Sequence, residues 1–261
     1  MINTKEDREN LFVNLAKKAT IVEHLKPMLN QGYHFTGEGR LEPFRSGLMW
    51  DTPWVYTQAH HRIRCEIGHR IVFDRFGFVS NICRNCYKVV VRPRTVVELF
   101  DLYELQREMG VPCKCGIEVR EYVHGLYGGY FYCRGKEEGL KRYKQVRKLV
   151  DEQISPDVPV ILKRYCTEFE IGPGSFGPSD KLPPLTPEQE EIEKTLIALI
   201  PDENNRCAHV DLIIAYTMKK WIMFAHANND PTYKELTGGQ SLFPSVVTYH
   251  QEVEENDNGN P

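Results

Sequence analysis

Arg70-Ile-Val-Phe-Asp-Arg-Phe-Gly-Phe-Val-Ser80 runs directly into Asn81-Ile-Cys-Arg-Asn-Cys-Tyr-Lys-Val-Val-Val-Arg92. The reading of these residues decides the fold. The apolar residues Ile71, Phe73, Phe76 and Phe78 suggest two short strands that turn near Asp74 and Arg75, and Tyr87 to Arg92 supplies a third, rich in β-branched residues. Cys83 and Cys86 then sit on a β-hairpin. Two thiolates three residues apart on a tight turn bind one ion while the amides of the turn donate to sulfur. The expected fold is α+β, with a metal-stapled, zinc-ribbon-like centre over about residues 60–135 between an N-terminal helix and C-terminal helices.

One pair of thiolates needs a second, and two are available. Thr95 and Glu98 open a helix as a capping box, Gly110 and Pro112 close it, and the chain arrives at Cys113-Lys-Cys115. That route gives a four-thiolate site of Cys83, Cys86, Cys113 and Cys115, the preferred set. The other route pairs Cys83 and Cys86 with Cys65 and His69, which stand four apart. Zinc is the expected metal, and an iron–sulfur cluster, to which Cys133 could add a ligand, is the alternative. The Cys-x2-Cys and Cys-x-Cys pairs resemble, in reversed order, the zinc-thiolate pattern of redox-regulated chaperones. No other part of the chain shares that resemblance, and no function is carried over from it. Cys133, Cys166 and Cys207 stand alone and read as buried core residues.

Outward from this centre, Leu11, Leu15, Val22 and Leu25 mark an amphipathic helix within Thr4 to Leu29, disturbed by Pro27. Residues 30–60 read as irregular. Ile117 to Val123 and Tyr127 to Cys133 are expected strands. Lys136 to Val150 is expected to be a helix burying Leu140, Tyr143, Val146 and Val150. Val158 to Ile171 reads as a long or bent strand, on which alternation would put Arg164, Cys166 and Glu168 on one face. Gly172 to Pro178 and Pro183-Pro184 form a linker, with a boundary near residue 180. Thr186-Pro187-Glu188-Gln189 starts a helix that Pro201 ends, and a second helix buries Ile214, Met218, Trp221 and Ala225. The expected organisation is therefore 1–59, a metal-binding basic region 60–180, a helical region 181–250 and a disordered acidic tail 251–261.

The chain of 261 residues is 41% hydrophobic and 26% charged, ordinary globular material. Its most apolar stretch is broken by Asp211, Lys219 and Lys220, so no membrane span is expected, and the charged N-terminus does not read as an export signal. A reducing, cytoplasmic setting follows, in which clustered thiols favour metal binding over disulfides. Residues 60–150 carry 18 Lys and Arg against 10 Asp and Glu, a surplus of +8, whereas the remainder holds 15 against 26, or −11. The aromatic strand from Tyr127 leads into Lys136, Lys141, Arg142, Lys144, Arg147 and Lys148. This combination of rings and cations suggests a nucleic-acid partner for the basic region 134–148.

The P-loop, His-Glu-x2-His, Gly-x-Ser-x-Gly and zinc-deaminase patterns are all missing. Three function classes remain. The first is a zinc-stabilised nucleic-acid-binding module, and the second an iron–sulfur or thiol redox enzyme or metal-dependent transferase using Cys113, Cys133 or Cys166 with His124. The third is an interaction protein with purely structural zinc. His60 and His61 read as exposed or structurally hydrogen-bonded.

Overall fold

A computed structural model describes residues 19–30, 33–37, 39–43, 52–57, 62–171, 182–200, 211–240 and 242. In chain order these form α1 (Ala19–Leu29), β1 (Tyr33–Phe35), β2 (Leu41–Pro43), β3 (Trp54–Tyr56) and α2 (Arg62–Glu66). A π-helix (Ile67–Phe73) continues α2, followed by α3 (Asp74–Phe76), α4 (Asn81–Arg84), β4 (Cys86–Val91), α5 (Val96–Met109), β5 (Cys113–Ile117) and β6 (Tyr127–Arg134). The remaining described elements are α6 (Gly135–Gln153), β7 (Val160–Arg164), α7 (Thr167–Ile171), α8 (Pro187–Ile197), α9 (Asp211–Ala227) and α10 (Tyr233–Leu236).

The α+β class holds. At its centre is a five-stranded antiparallel sheet in the order β3-β5-β6-β4-β7. Cross-strand partners share a face and neighbours along a strand alternate. Val55, Cys115, Gly129 and Val91 are thereby aligned on one face, as are Cys113, Phe131 and Val89. That face is apolar and is buried with residues of α5, α6 and α9, including Leu99, Leu102, Val146, Val150 and Trp221. The opposite face carries Trp54, Tyr56, Lys114, Tyr130, Tyr132, Lys88 and Cys86, and is polar and aromatic.

Helix boundaries follow local chemistry. Thr95 accepts the Glu98 amide at 3.2 Å and the Glu98 carboxylate reaches back to the Arg94 amide at 2.6 Å, so the expected reciprocal bond lands one residue early. Gly110 closes α5 at φ 60°, where a side chain would be strained. Thr186 and Gln189 form the complete capping box expected for α8. Trp221 and Ala225 are buried as expected, with Ile214 and Met218 packed against them. Leu140, by contrast, is 44% exposed. Gly139 of α6 instead lies against Tyr87 and Leu162, bringing the helix onto the sheet by the neighbouring row of residues.

The structure corrects three expectations near the thiols. The hairpin over Arg70–Ser80 is absent, because that stretch begins in the π-helix and α3. Ile67, Ile71 and Val72 are buried there with Leu25, Met28 and Leu196, and the Ile67-to-Ile71 interval is helical. The β-branched residues fill one helical face rather than pairing across a turn. A zinc-ribbon-like centre is thus not shown, and Cys83 and Cys86 lie instead at a helix-to-strand junction. The strand from Val158 stops at Arg164, since Tyr165 adopts φ 67° and α7 follows, which removes the alternation proposed for Arg164, Cys166 and Glu168. Residues 30–60 are likewise not uniformly irregular, for they supply β1, β2 and β3. The Thr4–Lys18 part of the first helix, Gly172 to Pro178, the boundary near 180, Pro201, Cys207, His60, His61 and the tail lie outside the described residues. Among the described residues no helix is long and apolar enough to cross a membrane.

Candidate functional site

Five thiols line one cleft, and besides Cys133 of β6 four of them come from separate elements. Cys65 comes from α2, Cys83 from α4, Cys86 from the first position of β4, and Cys166 from the turn between β7 and α7. Together with His69 of the π-helix they line a cavity of about 850 Å3 that also touches Arg64, Tyr132 and Cys133. The antiparallel pairing of β4 with β7 carries Cys166 back beside Cys86, since Tyr87 faces Arg164 and the Tyr165 amide donates to the Cys86 carbonyl. The Arg164 side chain secures this turn by donating to the Arg84 carbonyl at 2.9 Å and covering the Tyr165 ring at 4.5 Å. These contacts hold Tyr165 in the left-handed region, which is costly for a bulky residue.

Ser80 caps α4 by accepting the Cys83 amide. The Cα of Gly68 faces the Cys83 sulfur so closely that an added Cβ would stand 2.6 Å from it. The π-helical turn brings this glycine and His69 inward together, and π-helical segments are frequent where a helix must present a functional group. The His69 ring stacks on Phe169 with centroids 4.4 Å apart. That stacking fixes its orientation.

Lys88 is the unexpected member. It interrupts the apolar run of β4 and is buried on the polar face, where its ammonium donates to the Cys166 sulfur at 2.6 Å and lies 5.9 Å from the Tyr132 ring. Burial opposes the charge on Lys88, but Cys166, then Cys86, raise its pKa overall. Burial equally opposes ionisation of Cys166, yet Lys88 and then a hydrogen bond from His69 hold that thiol down at about 6. His69 is raised despite burial by the same bond and by the Cys166 charge. Lys88 and His69 thus both favour the thiolate form of Cys166, and its negative charge in turn favours their protonated forms. Burial pushes the other thiols up, Cys83 to about 12, with Cys65 and Cys86 also raised.

Cys113 and Cys115 do not join this cluster. Both face the apolar side of the sheet, opposite to Cys86, and are fully buried. Cys113 hydrogen-bonds the Thr57 hydroxyl at 2.6 Å and approaches the Gln106 carbonyl at 3.8 Å. Burial raises its pKa to about 12 and that of Cys115 well above the usual range. The structure brings together Cys83, Cys86, Cys65 and His69, the second ligand set considered from sequence, and adds Cys166. A signal for Cys166 was present in the cation-thiol-carboxylate order of Lys163 to Glu170, but as a lone cysteine it resembled core. Among the described residues, no three His, Cys, Asp or Glu side chains are already gathered to hold a single ion. No protein-family model, curated protein or solved structure matches the chain.

Proposed function

We propose that the protein is a metal-binding protein whose thiolate centre is built from Cys65, Cys83, Cys86 and Cys166, with His69 as a further donor. The convergence of four thiols from four separate elements on one cleft carries this reading. Soft thiolates and imidazole are the donors of zinc sites, and four thiolates equally serve an iron–sulfur cluster. Loading requires the thiols to deprotonate and close together, and Lys88 to leave Cys166 to the metal. Elemental analysis of anaerobically purified protein tests the reading. One equivalent of zinc in colourless protein identifies zinc, whereas iron with acid-labile sulfide in brown protein identifies a cluster. Loss of bound metal in Cys83→Ser and Cys86→Ser, with retention in the Cys113→Ser/Cys115→Ser double variant, is the expected pattern. Absence of stoichiometric metal after reconstitution with both zinc and iron–sulfide rejects it.

The Lys88–Cys166 contact favours a second reading, thiol chemistry without metal. A thiolate favoured by a neighbouring ammonium and by a hydrogen bond from a histidine is an activated nucleophile. In that case Cys166 alone among the cleft thiols reacts rapidly with iodoacetamide in protein as purified, and chelators leave its rate unchanged.

The nucleic-acid partner expected of 134–148 draws less from the structure. Tyr127, Tyr130 and Phe131 are buried, so they offer no stacking surface, while Arg142, Arg147 and Lys148 face Glu138, Asp151 and Glu152. Lys141 and Lys144 remain exposed. Binding to single-stranded DNA at low salt, falling steeply as salt rises, is the observation that would restore this partner.

A further inference from the structure

The contact between Lys88 and Cys166 joins two reactive side chains, of which a thiolate centre uses only one. Lys88 stands within β4, between Tyr132 of β6 and Lys163 of β7, and is buried. Cys166 is buried too, on the turn that the Arg164 side chain and the Tyr165 amide hold in place. Fixed backbone therefore positions both groups. The 2.6 Å between Nζ and Sγ is shorter than the about 2.7–2.9 Å of charge-assisted bonds to oxygen, although sulfur is the larger atom. It also lies inside the roughly 3–3.5 Å at which reacting atoms are poised to bond. Cys166 lines the partly open cavity, whereas Lys88 does not. The sulfur thus stands between the amine and a space that admits a small oxidant.

We propose that Lys88 and Cys166 form a reversible sulfenamide cross-link, a direct nitrogen–sulfur bond, when hydrogen peroxide enters the cleft. The sulfur first takes one peroxide oxygen, so that a sulfur–oxygen bond forms, the oxygen–oxygen bond breaks and the other oxygen leaves as water. Cys166 is then a sulfenic acid, which condenses with nitrogen. Nζ attacks the sulfur from the side away from the cavity, and the sulfenic oxygen departs toward the cavity as a second water. Sulfur loses two electrons in all and peroxide gains two. The starting pair carries three protons and no net charge whichever atom holds the shared one, so the balance does not depend on its position. Together with the two hydrogens of peroxide, four leave in the waters and one stays on nitrogen. Two molecules of an external thiol reverse the bond, restoring amine and Cys166 thiol and leaving as a disulfide.

The cross-link does not depend on metal binding. Where the cleft does hold a metal, it withdraws Cys166 from the donor set.

The test uses full-length protein freed of metal with a chelator, so its result stands whether or not metal is present as purified. The protein is treated with a small excess of hydrogen peroxide, alkylated with iodoacetamide, digested without reduction and mapped by mass spectrometry. The peptide bearing Lys88 should be joined to the peptide bearing Cys166, lighter by two hydrogens than their sum, as the main oxidised form of Cys166. Dithiothreitol should separate the two with both side chains restored. Recovery of Cys166 unmodified, as a sulfinic acid, or in a disulfide with Cys65, Cys83 or Cys86, with Lys88 free in each case, would overturn the proposal.

Discussion

At the scale of single residues, two positions set the chemistry of the cleft without bearing a thiol. Lys88 supplies positive charge where Cys65, Cys86 and Cys166 supply sulfur. Replacing it with Met keeps the length of the chain and removes the charge, so the Cys166 thiol should titrate higher. In metal-free protein, the pH profile of Cys166 alkylation should have its midpoint near 6 in the parent and move up by at least one unit in Lys88→Met; an unchanged midpoint refutes the role of the ammonium. Gly68 is the other position, for its missing Cβ leaves room for the Cys83 sulfur. Gly68→Ala forces helix and sulfur apart, an overpacking cost of about 1–3 kcal/mol. Urea unfolding should show a lower midpoint at unchanged slope. Retention of parental stability would mean that the π-helix relaxes freely.

Elements are joined by a few buried polar contacts, of which Asp230 is the clearest. Its carboxylate accepts the Val96 amide at 2.6 Å and the Tyr127 hydroxyl at 2.7 Å, so the segment after α9 is tied to the start of α5 and to β6. A second oxygen accepts from the amide and hydroxyl of Thr232. Burial would raise the pKa of Asp230, but these donors, Thr232 foremost, lower it overall. A carboxyl with a depressed folded pKa contributes stability in full above its unfolded value, and that contribution is lost as pH falls through the folded value. Asp230→Asn should therefore cost about 1.5–3 kcal/mol at neutral pH. The gap between variant and parent in chemical denaturation should narrow as pH falls below the ordinary aspartate value of about 3.9. A gap independent of pH would assign the loss to packing alone.

Over the whole molecule, metal binding and folding should be coupled, because the four thiols come from elements on both sides of the π-helix and from both strands at one end of the β4–β7 pairing. Free metal at 100 times its dissociation constant stabilises the state that binds it by about 2.7 kcal/mol. Thermal melting should rise with added metal in the parent and in Cys113→Ser/Cys115→Ser, but not in Cys83→Ser. A rise of equal size in all three would place the metal elsewhere. What the sequence determined by itself was local. Strands β4 and β6, the caps of α5 and α8, and the buried stripe of α9 follow from propensity, hydrogen-bonding side chains and periodicity within a few residues. Cys83 and Cys86 also attract attention through spacing alone. The tertiary structure decided which thiols meet. Cys113 and Cys115 are two apart and necessarily share a face of their strand, but only the register with β6 shows that face to be the apolar one. Cys166 reaches Cys86 only because β7 pairs with β4. A contact between residues 80 positions apart leaves no periodic trace in either segment, since sheet pairing is set by the burial of whole faces rather than by the residues that the pairing brings together.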